Sequence, residues 1–475
     1  MLEYFKSLSE KELEEFEDFV FSPFFNKQRN NVKLFQFLKS LYPHIKNSDI
    51  SKESLSLNVY GESKVNDVKI RKLVSEFSLL MERFFTQMEL EEDSIRNKIL
   101  LLGSLRKKGF QKRFEMNYRA ISNILKNVYS KDESFYLNKI NLVNELFYFK
   151  FGDIRGELEI GLQDKSDNLD FFYAFTKLHC FNEMIHNEGA INKDKFFKKK
   201  FFKEIISLVE NNKDEIYKNH PNLLIIYFVV NMFLTLDDKY LNGLVDYLKS
   251  KEKKFHKKNL KYYYHYVTQY FIKKTNMGHV EFRQKAFEMY KYMRDRRLFV
   301  IDNIITDFEY NNVVNICLSL REYSWVDSFI EENKKYLDPN FANDAYNLAK
   351  AKLLFHTKDY NNIFQYLNKI ELRDTNYYAH SKFLLGKVYF DMNNVNSVKY
   401  IVDNLRQYIR IKKSISDEQS DIIKIFNHYM MELIKIKESN TSSKKSLKLI
   451  LKKELDNEVK LVSNKDWFYE KISKL

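Results

Sequence analysis

The chain has 475 residues, with 79 Lys and Arg against 65 Asp and Glu for a formal net charge of +14, and 41 Phe and 32 Tyr beside only 10 Gly and 4 Pro. So few Gly and Pro leave little material for tight turns, β-hairpins or Gly-rich phosphate loops, and the length exceeds one ordinary globular core. An all-α chain of several packed segments follows, and its two cysteines, Cys180 and Cys317, supply neither a disulfide framework nor a zinc site.

Ser9-x-x-Glu12 has the spacing of a capping box, in which hydroxyl and carboxylate satisfy the first free amides of a helix. That helix buries Leu13, Phe16, Phe19 and Val20 and stops before Ser22-Pro23, because proline drives the preceding residue out of helical geometry. Ser22-Pro-Phe-Phe-Asn26 makes a corner, 32–41 is the next helix, and 47–54 is polar and turn-like. Residues 68–89 form a long amphipathic helix through Ile70, Leu73, Phe77, Leu80, Phe84 and Phe85. Residues 1–94 are therefore read as an N-terminal helical domain. The opening twenty residues carry seven acids and two lysines, the reverse of a signal peptide. From 95 to 300 helical periodicity continues as divergent hairpins, with breaks expected at or near Gly103, Gly109, Gly152, Gly189 and Gly243. Residues 222–236 are strongly apolar, but Asn231 interrupts them and the run is too short to span a bilayer. We expect no membrane span and a soluble, cytoplasmic protein.

Between 301 and 438 one pattern is written twice, 35 residues apart. Ala351-Lys-Leu-Leu-Phe355 overlies Gly386-Lys-Val-Tyr-Phe390, Ile363 overlies Val398, and Tyr366-Leu367 overlies Ile401-Val402. A fainter upstream copy uses Val314, Cys317, Val326, Phe329 and Ile330. A helix, a short polar break and a second helix make a unit that cannot cover its own apolar faces, so it needs neighbours. Residues 439–446 look loop-like, 447–462 read as a helix, and a last short helix with Trp467 and Phe468 caps the end, making 439–475 a loop with C-terminal capping helices.

Leu385-Gly386-x-x-Tyr389 resembles the first-helix core of a tetratricopeptide repeat, and Ala351 keeps the small position in the preceding copy. The resemblance implies a right-handed α-solenoid of helical hairpins whose first helices line a groove for peptides or helices. Carried over position by position, that groove would present Asn311, Asn315, Ser319, Lys352, His356, His380, Lys387 and Asp391. The Ser-Pro-Phe-Phe-Asn corner and the Asn464-Lys-Asp-Trp-Phe-Tyr469 end look similar to the ends of uncharacterised bacterial helical-repeat proteins.

Residues 245–300 hold eleven Lys and four Arg against five acids, with Tyr262, Tyr263 and Tyr264 beside them. Cations for phosphates and aromatics for bases are what single-stranded nucleic acid needs, with Lys253, Lys254, Lys257, Lys258, Arg296 and Arg297 as the candidate patch. The same pattern suits an acidic protein, a membrane surface, or a plain solvated lysine face. His179, Glu183 and His186 share a helical face, but no second Glu-x-x-His completes a di-metal set. No nucleophile elbow and no phosphate loop is present. The expectation is a non-enzymatic scaffold or adaptor without cofactor that binds another protein or peptide through groove and basic flank. Nucleic-acid binding through 245–300 is the alternative, and the oligomeric state is left open.

Overall fold

The computed structural model describes residues 1–150, 161–190, 197–300, 302–370, 375–412, 415–458 and 462–475, without the side chains of 189, 190, 418, 441 and 442. Among the described residues the regular structure is helical, and its β component is one isolated parallel bridge between Ile305 and Leu337. The chain divides into two compact units, Met1–Cys180 with Lys200–Leu223, and Phe181–Lys199 with Leu224–Leu475. The boundaries read from the sequence at 94, 300 and 438 fall inside these units.

In the first unit α1 (Leu2–Lys6), α2 (Glu10–Phe21), α3 (Arg29–Leu41), α4 (Lys52–Leu55) and α5 (Asp67–Glu92) surround one apolar core. The capping box that opens α2 is formed: Ser9 N donates to Glu12 Oε2 at 2.7 Å, and Glu12 N donates to Ser9 Oγ at 3.3 Å. Hydrogen bonding from Ser9 holds the Glu12 carboxyl below its ordinary range. The apolar stripe of α2 is buried, with Phe16 against Phe35, Phe77 and Phe84. Buried Asn26 fixes the corner after Pro23, its Nδ2 donating to Val20 O at 2.8 Å and its Oδ1 accepting from Gln28 N at 2.9 Å. Then follow α6 (Ser94–Lys107), α7 (Gln111–Lys126), α8 (Glu133–Lys150), α9 (Leu162–Ala190), which crosses the division at Cys180, α10 (Phe202–Asn211) and α11 (Lys213–Asn219).

Helix α12 (Pro221–Thr235) leads into the second unit, followed by α13 (Asp238–Lys251), α14 (Lys257–Asn276), α15 (Glu281–Asp295), α16 (Asp307–Ser319), α17 (Tyr323–Asn333), α18 (Ala342–His356) and α19 (Tyr360–Leu367). The chain ends with α20 (Thr375–Asp391), α21 (Val395–Ile411), α22 (Asp417–Glu438), α23 (Thr441–Asn457) and α24 (Lys465–Lys474). Helix α14 packs on α15, α15 on α16, α16 on α17 and α18, α18 on α19 and α20, α20 on α21 and α22, and α22 on α23 and α24.

Several turns in this run share one geometry, three of them at the same backbone angle. After α16, α18 and α20 the chain passes through Arg321, Lys358 and Asn393, all in the left-handed region at φ 62°. In each, the following amide reaches back to a carbonyl in the last helical turn: Glu322 N to Cys317 O at 3.0 Å, Asp359 N to Leu354 O at 2.9 Å, and Asn394 N to Tyr389 O at 2.8 Å. This is the usual way to satisfy the orphan carbonyls of a helix end, and glycine is its favoured residue because a Cβ opposes left-handed backbone. None of the three positions here is glycine.

Two expectations are corrected. The polar stretch from 439 to 446 is not a loop, because α23 begins at Thr441 with Asn440 as its cap, accepting from Ser443 N. Asn440 closes the first turn, its Oδ1 accepting from Ser443 N at 3.3 Å and from Ser443 Oγ at 2.6 Å. Gly103 and Gly243 do not break helices but lie inside α6 and α13, where the neighbours come close. A Cβ on Gly243 would stand 2.8 Å from the Phe228 ring, and one on Gly103 would stand 3.2 Å from the Glu145 carboxylate. Gly109 does sit at a break, Gly189 is the penultimate residue of α9, and Gly152 lies outside the described residues.

Candidate functional site

The eight residues assigned to a groove lie on α16, α18 and α20, three helices that pack in succession. Buried apolar residues hold them there: Tyr310, Val313, Val314 and Cys317 from α16, Leu348, Ala349 and Ala351 from α18, and Phe383, Leu384 and Val388 from α20. Between these positions the polar residues fall on a shared face. Asn315 and Lys352 meet directly, Lys352 Nζ donating to Asn315 Oδ1 at 2.9 Å. Lys387 is 7 % exposed; its Nζ donates to Asn464 Oδ1 at 2.7 Å and lies 4.5 Å from the centre of the Phe355 ring. His356 sits beside Phe355, and His380 packs edge-on to Phe383.

The electrostatics of this face are one-sided. Burial pushes Lys352 down to about 8. Burial and then the charge of Lys352 bring Lys387 to about 7, with Asp391 opposing. Burial among protein atoms, followed by the charges of Lys352 and Lys387, lowers His356 to about 4 and His380 to about 3. Both rings keep an exposed edge, so solvent screens that effect, and its consequence is that they are neutral at pH 7. These four bases therefore feel one another, and the two lysines are held by neutral amide oxygens.

The other assigned residues are engaged elsewhere. Asp391 accepts from Tyr360 OH at 3.0 Å and pairs with Lys471 Nζ at 2.6 Å. Asn311 Nδ2 donates to Asp307 O at 2.9 Å and to Tyr377 OH at 3.3 Å, tying α16 to α20. Ser319 Oγ donates to Ile316 O within its own helix. The residues that sequence reasoning did not assign belong mainly to α24. Asn464 holds Lys387, Lys471 holds Asp391, Asp466 pairs with Arg283 of α15 at 2.7 Å, and Trp467 packs on Phe390. Trp467, Phe468 and Ile472 are buried, which anchors α24. The signal that could have found them was the polar Asn464-Lys-Asp set directly before that aromatic pair.

Two of the six residues of the basic patch, Arg296 and Lys258, are paired with carboxylates. Arg296 Nε reaches Glu252 Oε1 at 2.7 Å while its guanidinium stacks 3.7 Å from the Tyr292 ring centre. Tyr292 OH donates to the same carboxylate at 2.6 Å, and Lys258 pairs with Asp302 at 2.8 Å. Lys257, Arg296 and Arg297 line a cleft of about 390 Å³ together with Glu252 and Asp295. Lys253 and Lys254 lie in the short 3-10 turn Glu252–Lys254 before it. Of the tyrosine run, Tyr262 is exposed while Tyr264 is fully buried and Tyr263 half-buried, so it offers one open ring rather than a platform.

A cleft of about 590 Å³ lies at α20 and α21, lined by Tyr378, Asn404, Gln407, Tyr408, Ile411 and Lys412, with no acid or histidine in its lining. His186 Nδ1 donates to Asn182 O, 2.8 Å away, and the ring packs on Phe233, while the His179 ring packs on Phe175. Among the described residues no three His, Cys, Asp or Glu side chains stand where they could hold a metal ion. Among the same residues no helix is long and apolar enough to cross a membrane. Cys317 is buried, which raises its thiol pKa, and neither it nor Cys180 forms a disulfide. Comparison with protein-family models, with curated proteins and with solved structures finds no match.

Proposed function

We propose that the helices from α16 to α22 stack as a right-handed solenoid of tetratricopeptide-like hairpins, and that the protein is a cytoplasmic, non-enzymatic scaffold or adaptor. A partner protein or peptide is held on the face of α16, α18 and α20, with the basic flank around Lys253, Lys254, Lys257 and Arg297 beside it. One observation carries this reading. Asn315, Ser319, His356 and His380 stay exposed along three successively packed helices whose other sides are filled with core residues. A row of polar groups on consecutive helix faces matches the way helical arrays hold extended peptides, through backbone and side-chain hydrogen bonds. The nucleic-acid reading is weaker, because Arg296 and Lys258 already have carboxylate partners and the adjacent tyrosine run offers one open ring, Tyr262.

The test is affinity capture with the intact chain and with a face variant, Asn315→Ala combined with His380→Ala, both exposed positions chosen to leave the core alone. A partner retained by the native chain and lost by a variant of unchanged melting temperature supports the proposal. Equal retention by both contradicts it.

A further inference from the structure

The face of α16, α18 and α20 gathers four basic side chains, and the hydrogen bonds of its two lysines do not go to carboxylates. Lys352 and His356 stand one turn apart on α18, and His380 and Lys387 stand two turns apart on α20. The position of Lys387 over Phe355 brings the second pair beside the first. The hydrogen bonds of the two lysines run to amide oxygens of Asn315 and Asn464. The nearby carboxylates are already occupied, Asp391 by Lys471, Glu470 by Lys474 and Asp466 by Arg283. A partly buried ammonium held by neutral groups lacks the counter-charge that normally compensates its dehydration. Each lysine also uses one of three donor protons in these bonds, so donors remain for a further acceptor.

Charge matching selects the ligand. Two ammonium groups on one patch call for a doubly charged anion, since a single carboxylate would leave one uncompensated. A phosphomonoester carries about −1.5 to −2 charges at pH 7 and three strong acceptor oxygens. We propose that this face contains a site for a phosphoryl group, with Lys352 and Lys387 as its cationic ligands and His356 and His380 as flanking groups. The site rests on the reading of the face as a binding surface and specifies what that surface recognises. The phosphoryl group arrives either on a partner peptide or as a free phosphorylated small molecule.

The experiment uses the full chain and fluorescence polarisation with three labelled probes: a phosphoserine peptide of otherwise neutral sequence, its serine parent, and a parent carrying glutamate at that position. Inorganic phosphate serves as competitor. The phosphopeptide should bind at least about tenfold tighter than either relative. Lys352→Gln, at a half-exposed position, should lower that affinity about tenfold with an unchanged melting temperature, and Lys387→Met should lower it likewise. Displacement by millimolar inorganic phosphate assigns the site to free phosphates as well, and binding that resists it assigns the site to phosphopeptides. Equal affinity for the three peptides, or phosphopeptide binding indifferent to Lys352→Gln, overturns the proposal. If no probe binds while Asn315→Ala with His380→Ala still releases the captured partner, the phosphoryl chemistry fails and the binding surface stands. If those changes also leave capture intact, both fail.

Discussion

Two basic regions of the second unit behave in opposite ways. Residues 245–300 concentrate ten net positive charges in the sequence, yet Arg296 and Lys258 each fold against a carboxylate. The face of α16, α18 and α20 has no such density in the sequence, yet it brings two lysines and two histidines together over neutral partners. Charge along the chain and charge in space are different quantities. The difference is decided by which acids the fold places alongside.

The comparison can be broken most sharply at Lys471. It pairs with Asp391 at 2.6 Å, with side chains 16 % and 11 % exposed, and Lys471→Ala leaves a largely buried carboxylate without that cation. Urea denaturation should show a loss of about 3–5 kcal/mol; a loss as small as that of an exposed pair would mean that α24 does not sit against α20 as described. A second difference is in pH. Lys387 is held near 7 in the folded chain against 10.5 in the unfolded one, so its pKa is depressed on folding. The associated stability is fully present above 10.5 and is lost as the pH falls toward 7. Raising the pH from 7 to 9 should therefore stabilise the native chain, by about 1.4 kcal/mol per unit from this residue. Lys387→Met should flatten the slope. In the basic flank the sign is reversed: the hydrogen bond to Asp302 raises Lys258, whose contribution is kept until the pH passes its ordinary range.

Smaller effects sharpen the same picture. Lys358 occupies left-handed backbone at φ 62° in the turn after α18. Lys358→Gly should stabilise by about 1 kcal/mol, read as a rise in melting temperature, because glycine carries no Cβ to oppose that conformation. Lys258→Ala should leave the denaturation midpoint unchanged, since its pair with Asp302 is exposed on both sides. A clear drop there would show that the flank is built as tightly as the face.

How much of this was legible in the chain depends on the distance over which each feature is decided. The capping box at Ser9, the stripe of α5 through Ile70, Leu73 and Phe77, and the placement of the eight polar residues on three helices are set within a few residues, and periodicity reveals them. The identity of each partner is set at long range. Asn464 meets Lys387 across 77 positions and Glu252 meets Arg296 across 44, separations that no local pattern encodes. Asn440 shows the opposite ambiguity: Asn-Thr-Ser-Ser suits a loop or a helix start equally, and the amide of Ser443 decides it. Gly243 reads as a break for the same reason, until the ring of Phe228 shows that it makes room for a neighbour.

The most direct measurement is a ¹³C NMR pH titration of the lysine side chains in the intact protein, with Lys387→Met and Lys352→Gln used to assign the two signals. An ammonium at Lys387 that titrates near 7, and one at Lys352 near 8, is the predicted result. Both titrating at the unperturbed value of 10.5 would contradict the assembly of unpaired bases on α18 and α20.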